Sequence, residues 1–141
     1  MDSVFGEPFL LPEESQHYYV CAKSETRVLF IAYEHVIKRC ENACKFHSQL
    51  VSNLLQMIAL RASQQANRIY VLSRNSTRKK IMAYLNSIAA EKQTKTVILP
   101  MSYTTLAEYL SVDRSAMMRE MKNLADEGII ERDGKKLRIL D

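Results

Sequence analysis

Glycine is scarce in this chain: Gly6, Gly128 and Gly134 are the only three among 141 residues, and no two are close together. Phosphate-cradling loops and nucleophile elbows need glycines clustered within a few positions, so neither is expected. No pair of carboxylates suggests a catalytic pocket either, and we nominate no catalytic residue and no cofactor. Cysteine is equally sparse. Cys21, Cys40 and Cys44 make an odd set without framework spacing, which favours reduced thiols and a cytoplasmic setting. Long apolar runs are missing: the best, residues 28–33 and 54–60, fall far short of the roughly 20 residues a bilayer span needs, so no membrane partner is expected. The opening residues do not read as a signal peptide, and none is expected. Because 47% of residues are hydrophobic and 26% charged, disorder and fibrous repeats are excluded as well.

The net charge is +4, and its placement matters more than its size. Residues 1–73 carry seven basic and seven acidic side chains, whereas residues 74–141 carry thirteen and nine. All the excess is in the second half, the pattern of a neutral sensor or scaffold joined to a nucleic-acid reader.

Along the chain, residues 1–33 lack helical period, contain Pro8 and Pro12, and read as two or three short strands, one over 17–22 and one over 28–33. So few strands leave open edges and an uncovered face, so an upstream segment or another chain is expected to complete them. A short helix is expected from Glu34 to about Cys40, then a long one from about Cys44 to Arg74, roughly 45 Å at 1.5 Å per residue. Its apolar stripe includes Phe46, Leu50, Val51, Leu54, Leu55, Ile58, Ala62, Ile69 and Leu72. One reading packs it on its own chain. The other makes it a parallel dimer seam, with Val51, Ile58, Gln65 and Leu72 in heptad register and Leu54 beside them. Asn75 and Ser76 then cap a helix over 77–91, and residues 96–99 read as a strand stopped by Pro100.

The segment that follows carries the chemistry. Ser102 caps a short helix with Leu106 and Leu110 four apart, and small Ala107 sits where a second helix must come close. A tight turn at Ser111 and Val112 leads to Asp113, which caps a helix from Arg114 to about Asp126 with Met117, Met121 and Leu124 on its inner face. Arg114, Ser115, Met118, Arg119 and Lys122 face outward. After Gly128, two short strands flank Asp133-Gly134, a favoured two-residue hairpin turn. Strand, helix, turn, helix and hairpin together make a winged helix-turn-helix, whose wing carries Arg132, Lys135, Lys136 and Arg138. Such a second helix enters the major groove of double-stranded DNA, where an arginine can bond guanine O6 and N7 together, while a basic wing meets phosphates. The candidate DNA-facing set is Ser102, Tyr103, Thr104, Asp113, Arg114, Ser115, Met118, Arg119, Lys135 and Lys136.

Residues 105–121, Thr-Leu-Ala-Glu-Tyr-Leu-Ser-Val-Asp-Arg-Ser-Ala-Met-Met-Arg-Glu-Met, resemble the reader motif of the cyclic-AMP receptor / fumarate-nitrate regulator superfamily of bacterial transcription factors. Leu124 to Ile130 is similar to the exit into its wing, Gly6-Glu7 to the turn of its sensor β-roll, and the long helix to its dimerisation helix. The resemblance implies an α+β fold: a partial sensor β-roll over 1–33 lacking roughly its first 60–80 residues, a short helix and long dimerisation helix over 34–74, and a winged helix-turn-helix over 75–141. It also implies a homodimer on a near-palindromic operator, with Arg114 and Arg119 as base or phosphate contacts, answering to an unidentified small-molecule effector. Ser115 stands where the cyclic-AMP branch has Glu, and Ser111 replaces the usual turn glycine. A cyclic nucleotide needs an Arg for its phosphate, and residues 15–22 offer none, so that effector is not expected.

Two rivals to the regulator remain: a helical protein-interaction module without DNA affinity, and a metal or redox sensor using Cys40, Cys44, His47 and His35. The break near Asn42 disturbs the geometry of a four-ligand zinc site, and no metal is assigned.

Overall fold

A computed structural model describes residues 4–6, 19–37 and 45–140. Two compact units divide between Met57 and Ile58. In the first, residues 19–32 contain no strand, and a helix α1 covers Tyr33–Ile37. The two strands expected here are therefore not formed by the described residues. Leu29 and Phe30 remain 83% and 88% exposed, and a β segment without a ladder partner or a covered face has nothing to hold it in place. Residues 17–18 and 38–44, with Cys40 and the helix break near Asn42, lie outside the described residues.

The long helix α2, Lys45–Leu72, starts and stops within two residues of expectation. It ends where Ser73 N–H bonds the Ile69 carbonyl and the Ser73 hydroxyl bonds that of Tyr70. Of its residues only Val71 is fully buried. Helix α3, Thr77–Lys92, begins on Ser76, whose hydroxyl accepts from Lys79 N–H at 3.2 Å. It is terminated by Gln93 in a left-handed conformation, with Thr94 N–H closing on the Ala89 carbonyl.

Strand β1 (Thr96–Ile98), helix α4 (Tyr103–Leu110), helix α5 (Arg114–Asp126) and strands β2 (Ile130–Asp133) and β3 (Lys136–Ile139) complete the second unit. The sheet is antiparallel with β3 central, in the order β1-β3-β2. One face is apolar by strict alternation: Val97, Ile130, Leu137 and Ile139 are buried, while Ile98, Glu131, Lys136 and Arg138 point to solvent. The buried face meets Ile81, Tyr84 and Leu85 of α3, Leu106, Ala107 and Leu110 of α4, and Met117, Met121 and Leu124 of α5. The apolar positions of α4 and α5 read from helical spacing are the ones that build this core. Mixed helix and a small antiparallel sheet, with a helix-turn-helix between strands, is the fold.

One register differs from expectation. Asp133 pairs with Lys136, so the two loop residues are Gly134 and Lys135, not Asp133 and Gly134. Gly134 has φ +56, and Lys135 is not among the residues with positive φ. A two-residue hairpin with positive φ only at its first loop position places glycine there, which moves the turn by one residue.

Candidate nucleic-acid interface

The turn between α4 and α5 is set by Ser111, which adopts φ 51, ψ 56, the left-handed conformation in which glycine is the relaxed residue. Ser111 N–H bonds the Glu108 carbonyl and Val112 N–H that of Ala107, closing α4 tightly enough for α5 to cross it. Lys80 adds a tie from α3, its Nζ donating to the Leu110 carbonyl at 3.1 Å, so a cation sits at the negative end of α4.

Asp113 starts α5. Its Oδ1 accepts from Ala116 N–H at 2.8 Å and from the Ser115 hydroxyl at 2.5 Å. The Ser115 hydrogen bond, and then the Ala116 amide, hold the Asp113 carboxyl below its ordinary value of 3.8, with Arg119 adding attraction. Ser115 thus has its proton committed to Asp113 and meets any ligand chiefly as an acceptor. At the other end of α5, both Oε atoms of Glu127 receive the guanidinium of Arg78 from α3, which lowers the Glu127 carboxyl and raises Arg78. This fork-to-fork pair ties the entry of α3 to the exit of α5.

The structure brings Arg114, Ser115, Arg119 and Lys122 to the solvent side of α5, all exposed. Among the described residues, neither Arg114 nor Lys122 is held by a hydrogen bond or ion pair, so both cations are free for an anionic partner. Met118 departs from the expected outward set: it is half-buried and packs against the core, so its contribution to a surface is a partial apolar edge. Ser102 is exposed and caps α4, with its hydroxyl accepting from Thr105 N–H at 3.1 Å and lying 2.9 Å from the Thr105 hydroxyl. Thr104 is exposed beside it. Tyr103 is half-buried, and its hydroxyl donates to the Gly134 carbonyl at 2.5 Å.

The wing sorts its cations by register. Lys136 lies opposite Asp133 and Arg138 opposite Glu131, so each cation of β3 on the outer face has a carboxylate across the ladder. Lys135 stands at the turn, exposed and without such a neighbour in the register. Arg132 is half-buried on the core side of β2, its guanidinium 5.6 Å from the centre of the Tyr103 ring. Field attraction for an anion from the wing therefore centres on Lys135, more than on Lys136 or Arg132.

Three of these features escaped the sequence reading: the Arg78 to Glu127 pair, the Lys80 tie and the Tyr103 hydrogen bond. Each joins residues 30 or more positions apart, where periodicity carries no signal. A tyrosine directly after a helix cap, with its polar end needing a partner, was the one local hint.

With this geometry in view, residues 79–141 match the family model of the Crp-like helix-turn-helix domain. A curated relative, the "Probable transcriptional regulator flp" of Lacticaseibacillus casei, is 37% identical over 70 residues, which is 50% of this chain and 32% of that protein. Among solved structures, FixK2 from Bradyrhizobium japonicum superposes with a TM-score of 0.59 at 19% identity, over 72% of this chain and 52% of FixK2. The chain thus spans about a third of the curated relative and about half of FixK2, and the likeness to FixK2 is one of fold.

Proposed function

We propose, from the match of residues 79–141 to the Crp-like helix-turn-helix domain, that the chain is a sequence-specific DNA-binding transcription regulator, not an enzyme. The observation that carries the reading is α5 itself: a helix capped by Asp113, buried on one side through Met117, Met121 and Leu124, and presenting Arg114, Ser115 and Arg119 on the other. Arg114, in the first turn, would meet a guanine edge in the major groove. Arg119, one to two turns on, would meet a base or a phosphate. Lys135 would contact the backbone from the wing, with Ser102 and Thr104 close to a phosphate at the start of α4.

Two copies would pair along α2. Val51 and Ile58 are 41% and 50% exposed, Gln65 is exposed, and Leu54 and Leu72 are half-buried, so the helical stripe keeps apolar surface available for a second copy. A symmetric pair of readers would select a near-palindromic site with half-sites about one helical turn apart. An unidentified small molecule acting through the N-terminal region would change the pairing geometry that fits DNA. Among the described residues no helix is long and apolar enough to cross a membrane.

Selection from randomised duplex DNA tests this reading. A retained near-palindrome is expected, with the logarithm of the binding constant falling linearly with log salt. Arg114→Ala should weaken the selected site by roughly 5- to 150-fold, the range for losing one bidentate base contact. Absence of duplex binding at low salt would exclude it. Ile58→Glu should convert the dimer to monomer in sedimentation and reduce operator affinity; an unchanged sedimentation coefficient removes α2 from the interface.

A further inference from the structure

The wing of a helix-turn-helix domain is a two-stranded projection, and a lone hairpin is at best marginally stable in water. Here the turn at its tip is tied down from two directions. The Lys135 carbonyl accepts Leu99 N–H at 2.9 Å, and the carbonyl of the preceding residue, Gly134, accepts the Tyr103 hydroxyl at 2.5 Å. Leu99 is buried and Tyr103, the first residue of α4, is half-buried, so neither donor is fully exposed. With both loop carbonyls turned toward the body, the Lys135 side chain is left exposed.

Arg132 completes the arrangement. Strand alternation puts it on the same side of β2 as buried Ile130, where its guanidinium lies over the Tyr103 ring and its Nε is buried without a hydrogen-bond partner among the described residues. An unpaired buried N–H opposes folding, and an apolar side chain would fill that place without it. What the guanidinium gains is the ring face, an attraction that also holds Tyr103 in the orientation its hydroxyl needs.

We infer that Tyr103 and Arg132 are positioning residues: together they clasp the Gly134-Lys135 turn to the start of α4 so that the Lys135 ammonium is held at the height of the DNA backbone. This rests on the DNA-binding reading. It also assigns Tyr103 a role other than touching DNA, and it makes the wing and the reader helices one rigid surface, because α4 carries Tyr103 at its first position and packs on α5 at the turn.

The test is a double-mutant cycle in the full chain, using a mixed-sequence duplex, where only backbone contacts count. Lys135→Ala should lower affinity and reduce the log-log salt slope by about 0.9, one phosphate contact. Tyr103→Phe keeps the ring and removes the hydrogen bond; it should weaken binding by roughly 2- to 10-fold and reduce the same slope. Arg132→Gln should do likewise. Placed in the Lys135→Ala background, neither should weaken binding further, because the group they position is gone. Full additivity of Tyr103→Phe with Lys135→Ala, or an unchanged slope in Tyr103→Phe, overturns the proposal. Amide exchange at Leu99, whose N–H holds the same turn, is measured in parallel without DNA and should accelerate in Tyr103→Phe. A parent protein that binds no duplex while Leu99 responds to Tyr103→Phe would defeat the DNA reading and leave the clasp as a fold contact only; a Leu99 amide that does not respond, beside normal duplex binding, defeats the clasp alone.

Discussion

The two halves of this molecule treat their apolar residues in opposite ways. Between Val71 and Ile139 the chain encloses fifteen of them, and this set accounts for every fully buried hydrophobic among the described residues. In the first unit, Leu29, Phe30 and Phe46 are each more than 80% exposed. Composition does not explain the contrast, since both halves are rich in Val, Leu, Ile and Tyr. The difference lies in arrangement. In the second unit the end of α2, helices α3, α4 and α5 and three strands offer apolar faces that close on one another, whereas the described residues of the first unit supply only α1, the start of α2 and residues 19–32 without a strand, too few faces to make an interior.

The sharpest way to break this comparison is to open the enclosed half. Leu124, fully buried on α5, should cost roughly 2–5 kcal/mol on Leu124→Ala in a denaturant titration, a large part of what a domain of this size holds. A loss near zero would mean the unit is not packed as described. A smaller effect of opposite sign is expected at the helix-turn-helix turn. Ser111→Gly relieves a left-handed residue and should raise stability by about 1 kcal/mol, which for a domain of this size is a rise of roughly 4–8 °C in melting temperature; no rise would show that the serine is unstrained there.

Acid should also discriminate the halves. Asp113 and Glu127 both have carboxyls held below their ordinary values, by Ser115 and by Arg78 respectively. Their contribution to stability is fully present above about pH 4.5, the ordinary Glu value, and is lost as pH falls through the lowered folded values. The second unit should therefore melt at constant temperature from pH 5 to 7, on the order of a two-unit plateau, and progressively lower below it. Asp113→Asn should flatten that acid limb, and an unchanged limb would remove the cap from the account. The smallest effect is expected in the open half: Phe30→Ser should shift unfolding of the second unit by no more than about 0.5 kcal/mol. A shift as large as that of Leu124→Ala would show that Phe30 is covered after all.

Much of the candidate interface was legible in linear order because its signals are local. Ser76, Ser102 and Asp113 each precede a helix whose amides they cap, and the spacing of Leu106, Leu110, Met117, Met121 and Leu124 separates inner from outer faces. Met118 was misjudged because helical angle alone does not say how wide a covered stripe becomes once α5 meets its neighbours. The hairpin turn was placed one residue early because Asp-Gly and Gly-Lys are both acceptable loops in isolation, and only pairing of Asp133 with Lys136 decides between them. The strands expected over 17–22 and 28–33 rested on β-forming residues alone, and that preference has no effect without a neighbouring strand.

By itself, then, the sequence determined where helices begin, which of their faces are apolar, and that the basic excess falls in the second half, since caps, periodicity and charge act over a few residues. Only the tertiary structure decided which cations are available. Arg78 is paired with Glu127 and Arg132 lies on Tyr103; Lys136 and Arg138 have a carboxylate opposite them in the ladder register that offsets their charge without an ion pair, while Arg114, Lys122 and Lys135 have none opposite. Electrostatic availability depends on distance in space, and the partners that set it lie up to 49 positions away along the chain.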